Sequence, residues 1–350
     1  MIHSRHAYAQ FKKRRIEEWE SRRILQGLKN KEITKTIIVY DNICSPPTYG
    51  DYLFVVMLAR YFTSQNIAVS FIIVDGEYRS DWSALNDDEK KNLIAEYVRI
   101  ANLLLDSRLA KIEVLTSSQL HARVTNNIDK SIDVPFRESV IKRKHIYGHV
   151  LNTLNRLCFE SSRGHLDQFL LFFDELAGKV AFKKPEQPYI TWNCRYSIKW
   201  DFERNAVGEE FLPIYSRLKA LYPHHAIMVV SDAAGCNYFK GIASQHGLNC
   251  LFSKDYSDTL MGDGALILGS DYFFMLRGGG IAVFPMFSRV PHELIADCSN
   301  EVAWRHERAT SWATDNQIFR LPDRDKNIWP TLAVVHEGKG CVERGQGHLP

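Results

Sequence analysis

The run Ala226-Ile227-Met228-Val229-Val230, which stops abruptly at Ser231-Asp232, constrains this chain more than any other feature. It is too short for a stable helix and has no alternating polar face, so it reads as a strand buried on both sides of a parallel sheet. Similar runs recur at Thr36–Tyr40, Ala68–Val74, Lys111–Leu115, Tyr189–Asn193, Asn249–Phe252 and Asp271–Leu276, and Ile281–Phe284 reads as one more short strand. Helical patterns lie between them. Phe54, Val55, Leu58, Ala59 and Phe62 fall on one face, and Asp87–Leu105, Glu209–Leu221, Asn237–His246 and Asp258–Leu268 follow the same period. Strands alternating with helices at this spacing build βαβ units, so the chain is expected to be α/β with parallel, doubly wound sheets.

At 350 residues the chain is long for one core and sufficient for two. The polar, proline-rich stretch Lys183-Lys184-Pro185-Glu186-Gln187-Pro188 is the best linker candidate. It divides the chain into an N-terminal basic helix (1–33), a first Rossmann-like domain (34–184), a second (185–325) and a C-terminal tail (326–350). The stretch from Thr125 to Lys184 is read as mostly helical, with an apolar helix over His165–Ala177. Trp304, Trp312 and Trp329 point to a segment that packs back on the body, and Gly338–Pro350 reads as a loose tail.

A formal net charge of +3 gives no footprint for nucleic acid. Seven scattered cysteines without CxxC spacing argue against a zinc site or a disulfide framework, and a reducing cytoplasm is the simplest setting. No apolar run approaches the length of a membrane span. Lys12-Lys13-Arg14-Arg15 and Arg22-Arg23 lie on the N-terminal helix beside Tyr8, Phe11, Ile16, Trp19 and Ile24. That helix is either packed on the surface or a peripheral contact with the inner face of an anionic membrane, although Glu17, Glu18 and Glu20 interrupt its positive face.

In open parallel sheets, ligands bind beyond the carboxyl ends of the strands, near the point where strand order reverses. That rule selects loops before any motif is consulted. Arg277-Gly278-Gly279-Gly280 follows a strand, and glycines there let backbone N–H groups approach an anion, with Arg277 available as a fork for a diphosphate. The alternative is a tight turn with Arg277 in solvent. Arg195 and Lys199 lie just past another strand, placed to neutralise a departing diphosphate or to make surface ion pairs. Ser231 and Asp232 close the clearest strand, where Asp232 meets a ribose or nucleobase or caps the next helix. Asp258 and Thr259 open a helix and carry the same pair of readings. In the first half, Asp51 follows the loop Cys44–Gly50, either as a helix cap or as a base facing an acceptor; His145 and His149 are further candidate bases. No metal-binding carboxylate pair is evident.

Trp192-Asn193-Cys194-Arg195, Val229-Val230-Ser231-Asp232, and Gly269–Phe274 leading to Arg277-Gly278-Gly279-Gly280 occur in an order that resembles the donor half of GT-B glycosyltransferases, and specifically the α1,6-/protein O-fucosyltransferase superfamily. The likeness covers about a hundred residues. That family's motif carries a histidine and two arginines where this chain has a single Arg195, and a serine-containing phosphate turn where this chain has three glycines. The resemblance implies two Rossmann-like domains facing a cleft. It implies a nucleoside diphosphate sugar, GDP-fucose-like, as donor substrate, no permanently bound cofactor or metal, and transfer with inversion to a glycan or lipid-linked acceptor. Arg195, Lys199, Ser231, Asp232, Asp258, Thr259, Arg277 and Gly278–Gly280 would bind the donor, with Arg195, Asp51 and His145 catalytic. The rival readings are a polysaccharide pyruvyltransferase of similar shape and a nucleotide- or glycan-binding protein without transfer activity.

Overall fold

The computed structural model describes residues 18–45, 48–76, 85–125, 132–144, 146–196, 205–206, 208–277, 279–296 and 316–320, with the side chains of 159–166 excepted and 161–166 left out entirely. The chain divides into two compact units, Met1–Lys179 with Met286–Arg289, and Val180–Pro285 with Val290–Pro350. The boundary therefore falls a few residues before the expected linker, and the short return of 286–289 to the first unit has no counterpart in the sequence reading.

The first unit holds a four-stranded parallel sheet, β1 (Lys35–Asp41), β2 (Ala68–Asp75), β3 (Ala110–Thr116) and β4 (Ile132–Asp133), in the order β3-β2-β1-β4. Its central strands are apolar because both faces are covered: Ile37 to Tyr40 and Phe71 to Val74 are buried without a break. Helix Tyr49–Ser64 is buried nearly all round, beyond the single apolar face that its sequence period shows. Its one cation, Arg60, is partly buried and fully occupied. It donates to the carbonyls of Leu104, Phe169 and Leu170 at 2.8–2.9 Å and pairs with Glu175 at 2.6 Å. This grip explains a correction. The expected continuous helix His165–Ala177 is interrupted, with helix resuming at Phe173–Ala177, because carbonyls at 169 and 170 are turned toward Arg60 instead of along a helix axis. Phe287 completes this core, with its ring 5.7 Å from that of Phe54 and 5.4 Å from that of Phe169, and its carbonyl accepts from Leu171 N at 2.7 Å.

The N-terminal helix, over residues 18–29, packs on this unit. Ser21 and Thr153 share a buried hydrogen bond of 2.9 Å, Arg23 pairs with Asp133 at 2.7 Å, and Ile24 is fully buried. Its Lys12–Arg15 cluster lies outside the described residues, as does the 326–350 tail. Among the described residues, no helix is long and apolar enough to cross a membrane.

The second unit holds six parallel strands, β5 (Tyr189–Asn193), β6 (Ala226–Val230), β7 (Cys250–Phe252), β8 (Phe273–Leu276), β9 (His292–Ile295) and β10 (Gln317–Arg320). Their order is β7-β6-β5-β8-β9-β10, which counted from the first strand is the doubly wound order 3-2-1-4-5-6. The expected α/β class with two doubly wound parallel units is what both sheets show. Helices Gly208–Leu221, Ala233–Gln245 and Leu260–Leu268 follow the strands as anticipated. Ile281–Phe284 is corrected from strand to helix: Gly280–Ala282 is a 3-10 turn running into helix Val283–Met286. Four apolar residues fit either period, and burial of Val283 and Phe284 satisfies both.

Candidate functional site

In the second unit the chain leaves β5 toward β6 on one side and leaves β8 toward β9 on the other, so strand order reverses between β5 and β8. These two strands are direct neighbours, with Asn193 in register with Met275. The crevice that this reversal opens lies at their carboxyl ends. Two loops meet it, the one beginning Cys194-Arg195-Tyr196 and the one beginning Arg277. Both were selected from sequence, and the sheet brings them together.

Asn193 stands at the end of β5 and is 7% exposed. Its Nδ2 donates to the Val230 carbonyl at 3.0 Å, while its Oδ1 is buried without a partner among the described residues. A Cβ on Gly279 would come 3.9 Å from that oxygen and 3.7 Å from the Met275 methyl, which is ordinary contact. Gly279 is also in extended backbone, at φ 168°. Among the described residues, neither packing nor backbone conformation demands glycine there. A buried acceptor without a partner among the described residues, at a switch point, is suited to a hydroxyl or N–H of a ligand.

Arg195 is half-buried, and its Nη1 donates to Asn205 Oδ1 at 3.2 Å. Ala206 N donates to the Arg195 carbonyl at 2.7 Å. Tyr196 stacks on Tyr238 with ring centroids 4.9 Å apart, which anchors the loop on helix Ala233–Gln245. Lys199 lies outside the described residues, as do Gly278 and His145.

Arg277 departs from its expected role. Its guanidinium is forked onto Glu210 of helix Gly208–Leu221, both side chains being under 5% exposed, and Nη1 also donates to the Asn205 carbonyl at 3.0 Å. The direct diphosphate contact is thus replaced by a buried ion pair. A buried guanidinium requires a carboxylate, and Glu210 supplies both oxygens. The Arg277 backbone sits in the left-handed region at φ 68°, a conformation costly for a residue with a Cβ and concentrated at functional turns. Glu210 was not singled out from sequence, although a signal existed. It shares one helix face with Ile214 and Leu218, and a carboxylate on an apolar stripe needs a buried cation.

The remaining candidates are largely structural in this geometry. Asp232 caps helix Ala233–Gln245 by accepting from Gly235 N at 2.7 Å, and Thr259 caps helix Leu260–Leu268 by accepting from Gly262 N at 3.1 Å. Ser231 is buried and donates to the Cys194 carbonyl at 2.7 Å, tying the ends of β5 and β6 together. Gly235 must lack a side chain, because a Cβ would lie 2.0 Å from Ser231 Oγ. Asp258 is exposed one residue ahead of its helix cap.

In the first unit, Thr48 is the N-cap of helix Tyr49–Ser64, so Gly50 and Asp51 belong to its first turn and the expected cap at Asp51 is corrected. Asp51 is half-buried, at the carboxyl side of the sheet. Behind this turn lie the rings of Tyr40, Tyr52 and Tyr97, with Tyr52 and Tyr97 stacked at 4.1 Å. Burial holds the Tyr40 hydroxyl well above the usual phenol range, so it stays protonated. At the end of β1, Asp41 is gripped by Arg143 at 2.8 and 2.9 Å, and Arg143 also donates to Ser117 Oγ at 2.7 Å. His149 stacks on Phe136 with centroids 5.3 Å apart and lies 3.5 Å from Ser139 Oγ.

No protein-family model matches the chain, and no curated protein matches it in sequence. Among solved structures it is similar to E. coli ADP-heptose lps heptosyltransferase II, at 9% identity and a TM-score of 0.44, over 87% of this chain and 97% of that one. It is also similar to a glycosyl transferase family 9 protein from Veillonella parvula DSM 2008, at 11% identity and a TM-score of 0.38, over 75% and 80%. A third similarity is to POFUT1 in complex with GDP, at 8% identity and a TM-score of 0.31, over 82% and 98%.

Proposed function

We propose that the protein is a glycosyltransferase of GT-B type that takes a sugar from a nucleoside diphosphate sugar held at the β5/β8 crevice. The observation that carries this reading is the reversal of strand order between β5 and β8, with a cation, the left-handed turn at Arg277 and a buried acceptor that has no partner among the described residues all at the strand ends. The glycine turn and Arg195 suit an anion, and Asn193 Oδ1 suits a hydroxyl or N–H of the nucleoside. A diphosphate joined to a nucleoside offers both.

In the reaction, Asp51 accepts the proton of the acceptor hydroxyl as that oxygen attacks the anomeric carbon. The bond between the anomeric carbon and the diphosphate oxygen breaks, and its electron pair leaves with the nucleoside diphosphate. Arg195 and Lys199 stabilise the charge that develops on the leaving group, so no metal is required for that task. One displacement inverts the anomeric centre. A GDP-fucose-like donor and a glycan or lipid-linked acceptor are the preferred substrates, with the N-terminal basic helix as the element that would meet an anionic membrane.

Isothermal calorimetry with GDP, UDP and ADP tests the reading, which requires binding of at least one; no heat with any of the three overturns it. Loss of turnover in EDTA, restored by Mn²⁺, would contradict the metal-free mechanism.

A further inference from the structure

Arg195 and Arg277 emerge from different strands, yet one residue touches both. Asn205 accepts from Arg195 Nη1 through its side-chain Oδ1 at 3.2 Å and from Arg277 Nη1 through its main-chain carbonyl at 3.0 Å. Arg277 is fixed in turn by the Glu210 carboxylate, and the 205–206 segment is fastened to β5's loop by Ala206 N on the Arg195 carbonyl at 2.7 Å. The chain thus runs Glu210, Arg277, Asn205, Arg195, from the buried interior of the unit to the half-buried cation at the crevice.

Each link has a physical reason. Glu210 and Arg277 are both removed from water, so each needs the other and their geometry is stiff. A guanidinium has five donors, and after two go to Glu210 the second N–H of Nη1 is available to the Asn205 carbonyl. Arg195 is only half-buried and carries a flexible side chain with about 2 kcal/mol of rotamer entropy. Held before the ligand arrives, it loses less freedom on binding an anion.

We infer that Asn205 is a positioning residue of the donor site, which pre-sets Arg195 for a diphosphate and locks the β5 and β8 loops into one anion-binding edge. The inference rests on the donor-site reading above. The side chain and the carbonyl of Asn205 do separate jobs, so substitution of the side chain releases Arg195 while the carbonyl remains available to Arg277. The sequence held no sign of this: Asn205 lies in a polar stretch between a strand and a helix.

The test is a double-mutant cycle read by calorimetry with GDP, UDP and ADP. Asn205→Ala is expected to weaken the nucleotide that wild-type protein binds by about tenfold, the worth of one charge-assisted hydrogen bond. In an Arg195→Ala background the same substitution should change affinity by less than about twofold, because its partner is gone. Asn205→Asp keeps the acceptor in place but sets a carboxylate on Arg195, and should weaken binding more than Asn205→Ala does. Unchanged affinity in Asn205→Ala overturns the inference. So does an equal loss in both backgrounds, which would mark a general structural role. If wild-type protein binds none of the three nucleotides, the donor-site reading itself fails, an outcome distinct from either of these.

Discussion

Arg195 and Arg277 were read alike from sequence, as two cations past two strand ends, and folding gives them opposite fates. Arg195 remains at the crevice, while Arg277 is drawn inward by Glu210. Arg195→Ala is therefore expected to lower turnover by about a hundredfold or more with little change in melting temperature, measured by donor consumption and by thermal unfolding. Glu210→Gln should behave in the reverse manner. It leaves a buried guanidinium without its counter-charge and should destabilise the second unit by about 3–5 kcal/mol in urea titration. An unaltered urea midpoint would show that the pair is not what holds Arg277. Capping roles were legible at this scale, since Asp232 and Thr259 carry the side chains that helix starts prefer. The fate of Arg277 was not, because Glu210 on an apolar helix stripe signals only that some cation must be buried there, and its partner lies 67 positions away.

Among the elements, the buried parallel strands were the most readable, and every one from β1 to β3 and from β5 to β8 falls within a few residues of its expected span. Apolar strands covered on both faces announce themselves by composition alone. β9 and β10 were missed because His292, Glu293 and Gln317 break the apolar run while still being buried. Glu293 is satisfied by Tyr272 at 3.2 Å and by Arg320, and Gln317 reaches the Pro285 carbonyl at 3.4 Å. Helix Leu260–Leu268 shows how glycine can be an element's packing residue. A Cβ on Gly264 would lie 2.3 Å from the Phe284 ring, so Gly264→Ala should cost about 1–3 kcal/mol of stability, checked by the same urea titration.

For the whole molecule, two buried ionisable groups set opposed dependences on acidity. Burial lowers His292 to about 4, so the unfolded chain binds the extra proton between pH 6.5 and 4, and this contribution to stability falls as pH falls through that window. Burial raises Asp263 to about 6 against the pull of Lys254, so the folded chain binds the extra proton between about pH 6 and 3.8, and its contribution grows on acidification and is lost as pH rises through 6. Asp263→Asn should therefore make stability fall more steeply between pH 6 and 4 than in wild-type protein, as followed by urea titration at each pH. A slope no steeper than wild type would refute the assignment.

The excursion of Met286–Arg289 into the first unit carries a consequence for how such a chain can be cut and recombined. Phe287, buried between Phe54 and Phe169, is encoded more than a hundred positions after the rest of that core. A gene fragment ending near residue 180 would yield a first unit with a hole where this ring belongs, and its complement would carry an orphaned phenylalanine. The two units are thus not interchangeable cassettes: exchange of either between homologous genes demands a second crossover around residues 286–289, or a compensating aromatic supplied from elsewhere.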